Sequence, residues 1–188
     1  MNILVTLDKN YLPPLKTMLM SLFINHPVDS FDVYLASDNL TEDNLGDVSN
    51  LCRRFHSALH LIHVKDEWFA DAPTLRYYSR AMYYRLLAAQ LLLLPDQDIL
   101  NGLYGEYILP VDESLWNYDA RKYNEYLIAS SGEKDMDWVM RNTAILHFCG
   151  KRKPWHKDYH GRFSALYKHY RNLAERCEET IFQIEMED

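Results

Sequence analysis

The sequence predicts an α/β fold, Rossmann-like, with a mostly parallel sheet flanked by helices, and three observations predict it. Short apolar runs alternate with helical patterns in the order β-α-β-α-β up to residue 64, the order that builds a parallel sheet with crossover helices on its faces. A late apolar run, TAILHF (143–148), offers a further strand after a helical middle. At 188 residues, 48% apolar and 25% charged, the chain is long enough for one substantial core and is not of disordered composition. A single domain over 1–188 is expected.

The elements follow in order. NILVTL (2–7) is rich enough in Ile, Leu and Val to be a buried strand, and it stops at Asp8-Lys9-Asn10-Tyr11. Pro13-Pro14 then opens a helix, because a first turn does not need their missing N–H groups. Leu15, Met18, Leu19, Leu22 and Phe23 repeat at helical spacing until Asn25-His26-Pro27 ends the element. FDVYLAS (31–37) is the second strand, TEDNLGDVSNLCRRF (41–55) the second helix and HLIHV (60–64) the third strand. A long helical pattern from Thr74 to Leu94 ends at Pro95, and DQDILNGLYG (96–105) reads as a short helix with acids in its first turn. The 110–130 region reads as short strands and loops, and Asp135-Met136-Asp137 as part of the loop before TAILHF. From His156 an amphipathic helix is expected, with Phe163, Leu166, Tyr170 and Leu173 on one face.

Composition excludes several classes. A net charge of −7 gives no reason to expect a nucleic-acid partner. That charge is uneven: Lys151 to Arg171 holds seven Lys/Arg and one acid, a block of +6 against −13 elsewhere. Such a block is either a solvated helix face or a place for an anionic ligand. Three widely spaced cysteines make no disulfide framework and fit a reducing compartment. The N-terminal apolar run is too short for a signal peptide, and LLAAQLLLLP is too short to span a bilayer, so a cytoplasmic protein is expected.

The stretch ILHFCGKRKPWH (145–156) is the densest in chemistry. His147 ends an apolar strand, where a histidine is either an edge residue or a ligand; in α/β folds, ligands gather at the carboxyl ends of strands. Gly150 lets backbone N–H groups approach an anion, and Lys153 brings a point charge to it. The run GKRK lacks the upstream glycine and following Ser/Thr of a Walker A loop, and no GxGxxG follows the first strand. His147, Cys149, His156 and His160 are close enough in sequence to suggest zinc, although the second cysteine of a structural zinc motif is missing. Asp8 and Asn10 serve either turn chemistry or recognition of a base or ribose. Arg85 is either a surface cation or a ligand contact, and Asp96-Gln97-Asp98 either dipole-favoured acids or a reactive group.

In combination these segments resemble one family. MNILVTLDKNYLPPLKTMLMSLFINHP, YYSRAMYYRLLAAQLL, DQDILNGLYG and ILHFCGKRKPW occur in the order found in family 8 retaining glycosyltransferases, which include bacterial lipopolysaccharide galactosyl- and glucosyltransferases. The likeness runs from Met1 to about Tyr170. It implies a nucleotide-diphospho-sugar transferase (GT-A) fold, with a nucleotide-binding half over 1–94 and a second half over 96–188. It also implies a UDP-hexose donor, a saccharide or glycolipid acceptor and a divalent metal, usually manganese. By resemblance Asp8, Asn10 and Tyr11 hold the uridine, Arg85 contacts the donor, and Gln97, with Asp96 beside it, faces the donor sugar. His147 matches a metal ligand, and Gly150 and Lys153 match diphosphate contacts. For the basic segment 151–171 the inner face of an anionic membrane is a further expected partner.

One departure from the family pattern matters. Members carry a strand ending in Asp-x-Asp, and further elements, between the long helix and DQDILNG; here AAQLLLLPDQD joins those flanks directly. The Asp-x-Asp supplies carboxylates to the metal, and Asp135-Met136-Asp137 stands at a different place. An internally shortened member is therefore expected, with a non-catalytic uridine-nucleotide binder as the alternative to an active transferase.

Overall fold

A computed structural model describes residues 1–65 and 111–187, with side chains as far as residue 180. The described residues form two compact units, 1–65 with 170–187 and 111–169.

In the first unit β1 (Asn2–Thr6), β2 (Asp32–Ser37) and β3 (Ala58–His63) form a parallel sheet in the order β1-β2-β3. Ile3 pairs with Val33 and Val33 with Leu59, so the apolar positions line up across the sheet. Alternate residues of a strand point to opposite faces. Val33 and Leu35 accordingly enter the main core with half-buried Ile3, Val5, Leu59 and Leu61, while Ala36 joins Leu4, Ile62 and Val64 in a second cluster.

Helix α1 (Leu12–Asn25) begins with the proline pair in its first turn, behind a 3-10 turn at Lys9–Tyr11 that Asp8 caps. It buries Leu15, Leu19, Met20 and Phe23, and Phe23 stacks on Phe55 at 5.2 Å. Met18, expected on the inner face, is exposed and Met20 takes its place, because the buried stripe is centred on Leu19 and Phe23. Helix α2 (Gly46–Arg54) buries Val48, Leu51 and Cys52, and carries Asp47 in its first turn and Arg53 and Arg54 in its last, as the helix dipole favours. From the last helix, Ala174 and Cys177 pack into the same core, and Lys16 pairs with Glu178 at 2.5 Å.

The second unit is built from shorter pieces than the sequence suggests. Helices α3 (Glu113–Trp116) and α4 (Tyr123–Ala129) occupy the region expected as strands and loops, with only Tyr118–Asp119 (β4) extended. Of the expected loop Asp135-Met136-Asp137, Met136 and Asp137 instead open helix α5 (Met136–Asn142), and Asp135 is its N-cap, accepting from the Trp138 N–H at 2.8 Å. The expected strand over 143–148 contracts to β5 (Leu146–His147), which pairs in parallel with β4. Before it, the Ala144 N–H donates to the Leu115 carbonyl and the Thr143 hydroxyl to the Ser114 carbonyl, which takes that backbone out of the ladder. The core gathers round Tyr118, which is fully buried between Tyr126 at 4.4 Å and Phe163 at 5.9 Å.

Helix α6 (Ser164–Glu187) begins eight residues later than expected. Pro154 and Gly161 are poor helix formers, and His156 and Tyr159 instead close successive turns onto the Lys153 and His156 carbonyls. Its buried residues Tyr167, Ala174 and Cys177 follow one stripe, while Leu166, Tyr170 and Leu173 are half-buried beside it. No described helix is long and apolar enough to cross a membrane.

Candidate functional site

The described residues that the sequence singled out fall in the loop after β1, in the first unit, and in the loop after β5, in the second; carboxyl ends of parallel strands are where ligands gather in such folds. At the end of β1, Asp8 accepts the Asn10 N–H at 2.8 Å, and its carbonyl accepts the Tyr11 N–H at 3.0 Å. The carboxylate thus shapes the turn that presents Asn10 and Tyr11, both exposed. Turn chemistry and ligand recognition are compatible here, since a carboxylate has lone pairs beyond the one used.

In the second unit Asp119 and His147 are register partners ending β4 and β5. His147 is exposed, and its Nδ1 stands 3.0 Å from the Asn117 Oδ1. An amide oxygen only accepts, so Nδ1 carries the proton, and in the neutral ring Nε2 keeps its lone pair. Among the described residues no hydrogen bond engages Nε2.

The loop after β5 is tightly specified. Gly150 lies at φ +84°, a region costly for any residue with a Cβ, and a Cβ there would meet the Arg121 Nη1 at 3.0 Å. The Lys153 ammonium donates to the Phe148 carbonyl at 2.8 Å and lies 5.8 Å from the centre of the Trp155 ring. An ammonium has three donors, so this bond leaves others for an anion. Cys149 is half-buried, and burial, with a smaller push from Asp119, raises its thiol pKa, so it is not an activated nucleophile.

The sequence did not single out Asn117, Asp119 or Arg121. Asp119 is buried and grips Arg121 in a two-pronged ion pair, with Nε at 3.0 Å from Oδ1 and Nη2 at 2.6 Å from Oδ2. Its Oδ1 also accepts the Arg121 backbone N–H at 3.0 Å. These bonds from Arg121 hold the Asp119 pKa down at about 2 despite burial. The spacing Asp-x-Arg is that of a side chain capping its own turn, the one signal in the sequence for this pair. Beside it opens a hollow of about 610 Å³ that includes Arg121, Gly150, Arg152, His160 and Arg162 in its walls.

Two metal readings bear on the described residues. The zinc alternative, already short of the second cysteine, finds no grouping here: no three His, Cys, Asp or Glu side chains among the described residues converge to hold a metal ion. For manganese the described residues supply one imidazole, and such sites are oxygen-rich, so these residues alone do not fit it. Arg85, Asp96 and Gln97, and the two helices expected over 74–94 and 96–105, lie outside the described residues.

Comparison with known proteins gives a consistent picture. The family model for Glycosyl transferase family 8 matches residues 2–95 and 88–159, two stretches that meet over 88–95. A lipopolysaccharide 1,2-glucosyltransferase of Escherichia coli (strain K12) is 26% identical over 92 residues, 49% of this chain and 27% of that relative's length. Among solved structures, the galactosyltransferase LgtC in complex with donor and acceptor sugar analogs superposes with a TM-score of 0.66 at 17% identity, covering 92% of this chain and 95% of that one. The glycosyltransferase GlyE of Streptococcus pneumoniae TIGR4 gives 0.59 at 12% identity, over 98% of this chain and 63% of that one. Likeness at such low identity shows the fold: α/β, of the GT-A glycosyltransferase type.

Proposed function

The chain belongs to glycosyl transferase family 8, and from that premise we propose that it is a UDP-sugar-dependent hexosyltransferase. In this reading it moves a hexose, with retention, to a saccharide or glycolipid acceptor of the lipopolysaccharide kind. The observation that carries the reading is the loop after β5, where His147, a left-handed Gly150 and Lys153 follow one another at the carboxyl end of a parallel strand.

Each residue has a role suited to its chemistry. Breaking the bond from sugar to phosphate leaves negative charge on UDP, which the Lys153 ammonium and backbone N–H groups around Gly150 stabilise as it develops. Asp8, Asn10 and Tyr11 hold the uridine, and Arg85 contacts the donor. Gln97, flanked by Asp96, faces the donor sugar, where a neutral amide orients the ring rather than attacking it, being a poor nucleophile. Cys52, Cys149 and Cys177 are free thiols, as a reducing compartment requires, and the reading places the protein in the cytoplasm.

A second reading, an internally shortened member that binds uridine nucleotide without turnover, is favoured by one observation. The two stretches of the family match meet at 88–95, beside the junction where the Asp-x-Asp segment is expected. Assay of UDP release with a UDP-hexose, manganese and candidate acceptors separates the two. Turnover that is lost in Gln97→Ala and His147→Ala supports the transferase, and equal turnover in both variants removes the assigned roles. Calorimetric binding of UDP without transfer or hydrolysis, with or without manganese, establishes the second reading instead.

A further inference from the structure

We propose that the hollow beside the loop after β5 is an anion site separate from the diphosphate contact, and that it receives a phosphoryl group carried by the acceptor saccharide. The inference rests on the transferase reading, which requires an acceptor to be held near the donor.

Charge is the first argument. Among the described residues the hollow is lined by four permanent cations, Arg121, Lys151, Arg152 and Arg162, and by one acid, Asp158; with Asp119 neutralising Arg121 from behind, the local excess is +2. The chain as a whole carries −7, so this is concentration against the trend. A carboxylate contributes one negative charge, whereas a phosphate monoester carries about −1.5 to −2 and three acceptor oxygens. The excess suits the phosphate.

Fixation is the second. A merely solvated basic loop leaves its arginines free to wander, yet two of the three arginines here, Arg121 and Arg162, are held. Asp119 grips Nε and Nη2 of Arg121, which leaves Nη1 against Gly150, where the missing side chain makes room for it. Arg162 lies 4.1 Å from the centre of the Tyr123 ring and donates to the Asn124 Oδ1 at 3.4 Å. A guanidinium whose orientation is already set loses little freedom when its fork meets a phosphate. Tyr159 also lines the hollow.

Separation is the third. Lys153, the cation the resemblance assigns to the diphosphate, is not among the hollow's walls and is tied to the Phe148 carbonyl. The two sites share Gly150, so they adjoin, and it is the cations Arg121, Arg152 and Arg162 that distinguish the hollow.

The test uses the full chain, with glucose 6-phosphate, glucose, inorganic phosphate and UDP as calorimetric probes. Glucose 6-phosphate is expected to bind with UDP already saturating, to bind more tightly than inorganic phosphate or glucose, and to weaken as salt rises. Arg162→Gln and Arg152→Gln should each lower its affinity about tenfold, the loss of one charge-assisted contact. Arg162→Lys should not restore it, because an ammonium lacks the fork. If Arg162→Gln does not fold, Arg152→Gln carries the test. Competition with UDP for one site, equal affinity in the variants, or binding only to phosphatidylcholine vesicles containing phosphatidylglycerol each overturns the proposal. A wild-type chain that binds no UDP sinks the transferase reading instead, while the sugar-phosphate result stands or falls by its own variants.

Discussion

His147 donates its Nδ1 proton to the Asn117 Oδ1 across 3.0 Å, between the end of β5 and the residue before β4. The bond spans 30 positions of sequence and selects the imidazole tautomer whose Nε2 lone pair is available. Such an outer partner is what orients a ligating or proton-accepting histidine. Nitrogen-15 NMR of the uncharged ring should show His147 with a protonated Nδ1 and a bare Nε2, and Asn117→Ala should produce a mixture of tautomers. Identical ring signals in the two proteins would show that Asn117 does not choose the tautomer.

The Asp119–Arg121 pair predicts an acid limb of stability. Asp119 is held at about pKa 2 when folded and returns to the ordinary carboxylate value, about 3.9, when unfolded. A lowered folded pKa gives stability that is complete above about pH 4 and is lost as pH falls toward 2. Because Arg121 is 58% exposed, the contribution is about 1–2 kcal/mol after solvent screening. Urea unfolding at a series of pH values should therefore show a steeper acid loss in the wild type than in Asp119→Asn, and parallel profiles would count against the pair.

Gly150→Ala should destabilise the protein by about 1–2 kcal/mol, since the residue sits at φ +84°. Part of that cost comes from the contact with Arg121 at 3.0 Å. Adding Arg121→Ala should recover only that part, because the backbone strain remains. Complete recovery in denaturant melts would assign the whole effect to the side-chain contact.

Leu19 and Met18 are neighbours with opposite environments, fully buried against 44% exposed. Leu19→Ala should cost about 2–5 kcal/mol, and Met18→Ala no more than about 0.5 kcal/mol. Similar melting temperatures for the two variants would contradict the position of the stripe on α1.

How much was legible follows from length scale. β1, α1, β2, α2 and β3 each contain enough residues for a period of two or 3.6 to be seen, and Pro13-Pro14 and Asn25-His26-Pro27 mark the ends of α1. β4 and β5 have two residues each, and α3 to α5 have four to seven, too few for periodicity to distinguish them. Those pieces are held by end caps, Asp112 accepting from the Ser114 N–H and Asp135 from the Trp138 N–H, and by packing round Tyr118. Gly150 was singled out for the approach its backbone N–H groups allow, and the structure adds a left-handed φ of +84° that the sequence did not reveal. Asn117 and Asp119 look like ordinary loop residues until the chain closes.

By itself, then, the sequence determined the α/β class, the parallel course of the first three strands, the family likeness, and the residue types that bear chemistry at strand ends. Those properties are written in local apolar spacing and in residue identity. Only the tertiary structure decided that His147 is set by Asn117, that Asp119 is buried against Arg121, and that Arg121 and Arg162 line one hollow. The reason is physical: a tautomer, a lowered carboxylate pKa and a fixed guanidinium arise from atoms within a few ångströms of one another, and chain closure, not sequence spacing, brings such atoms together.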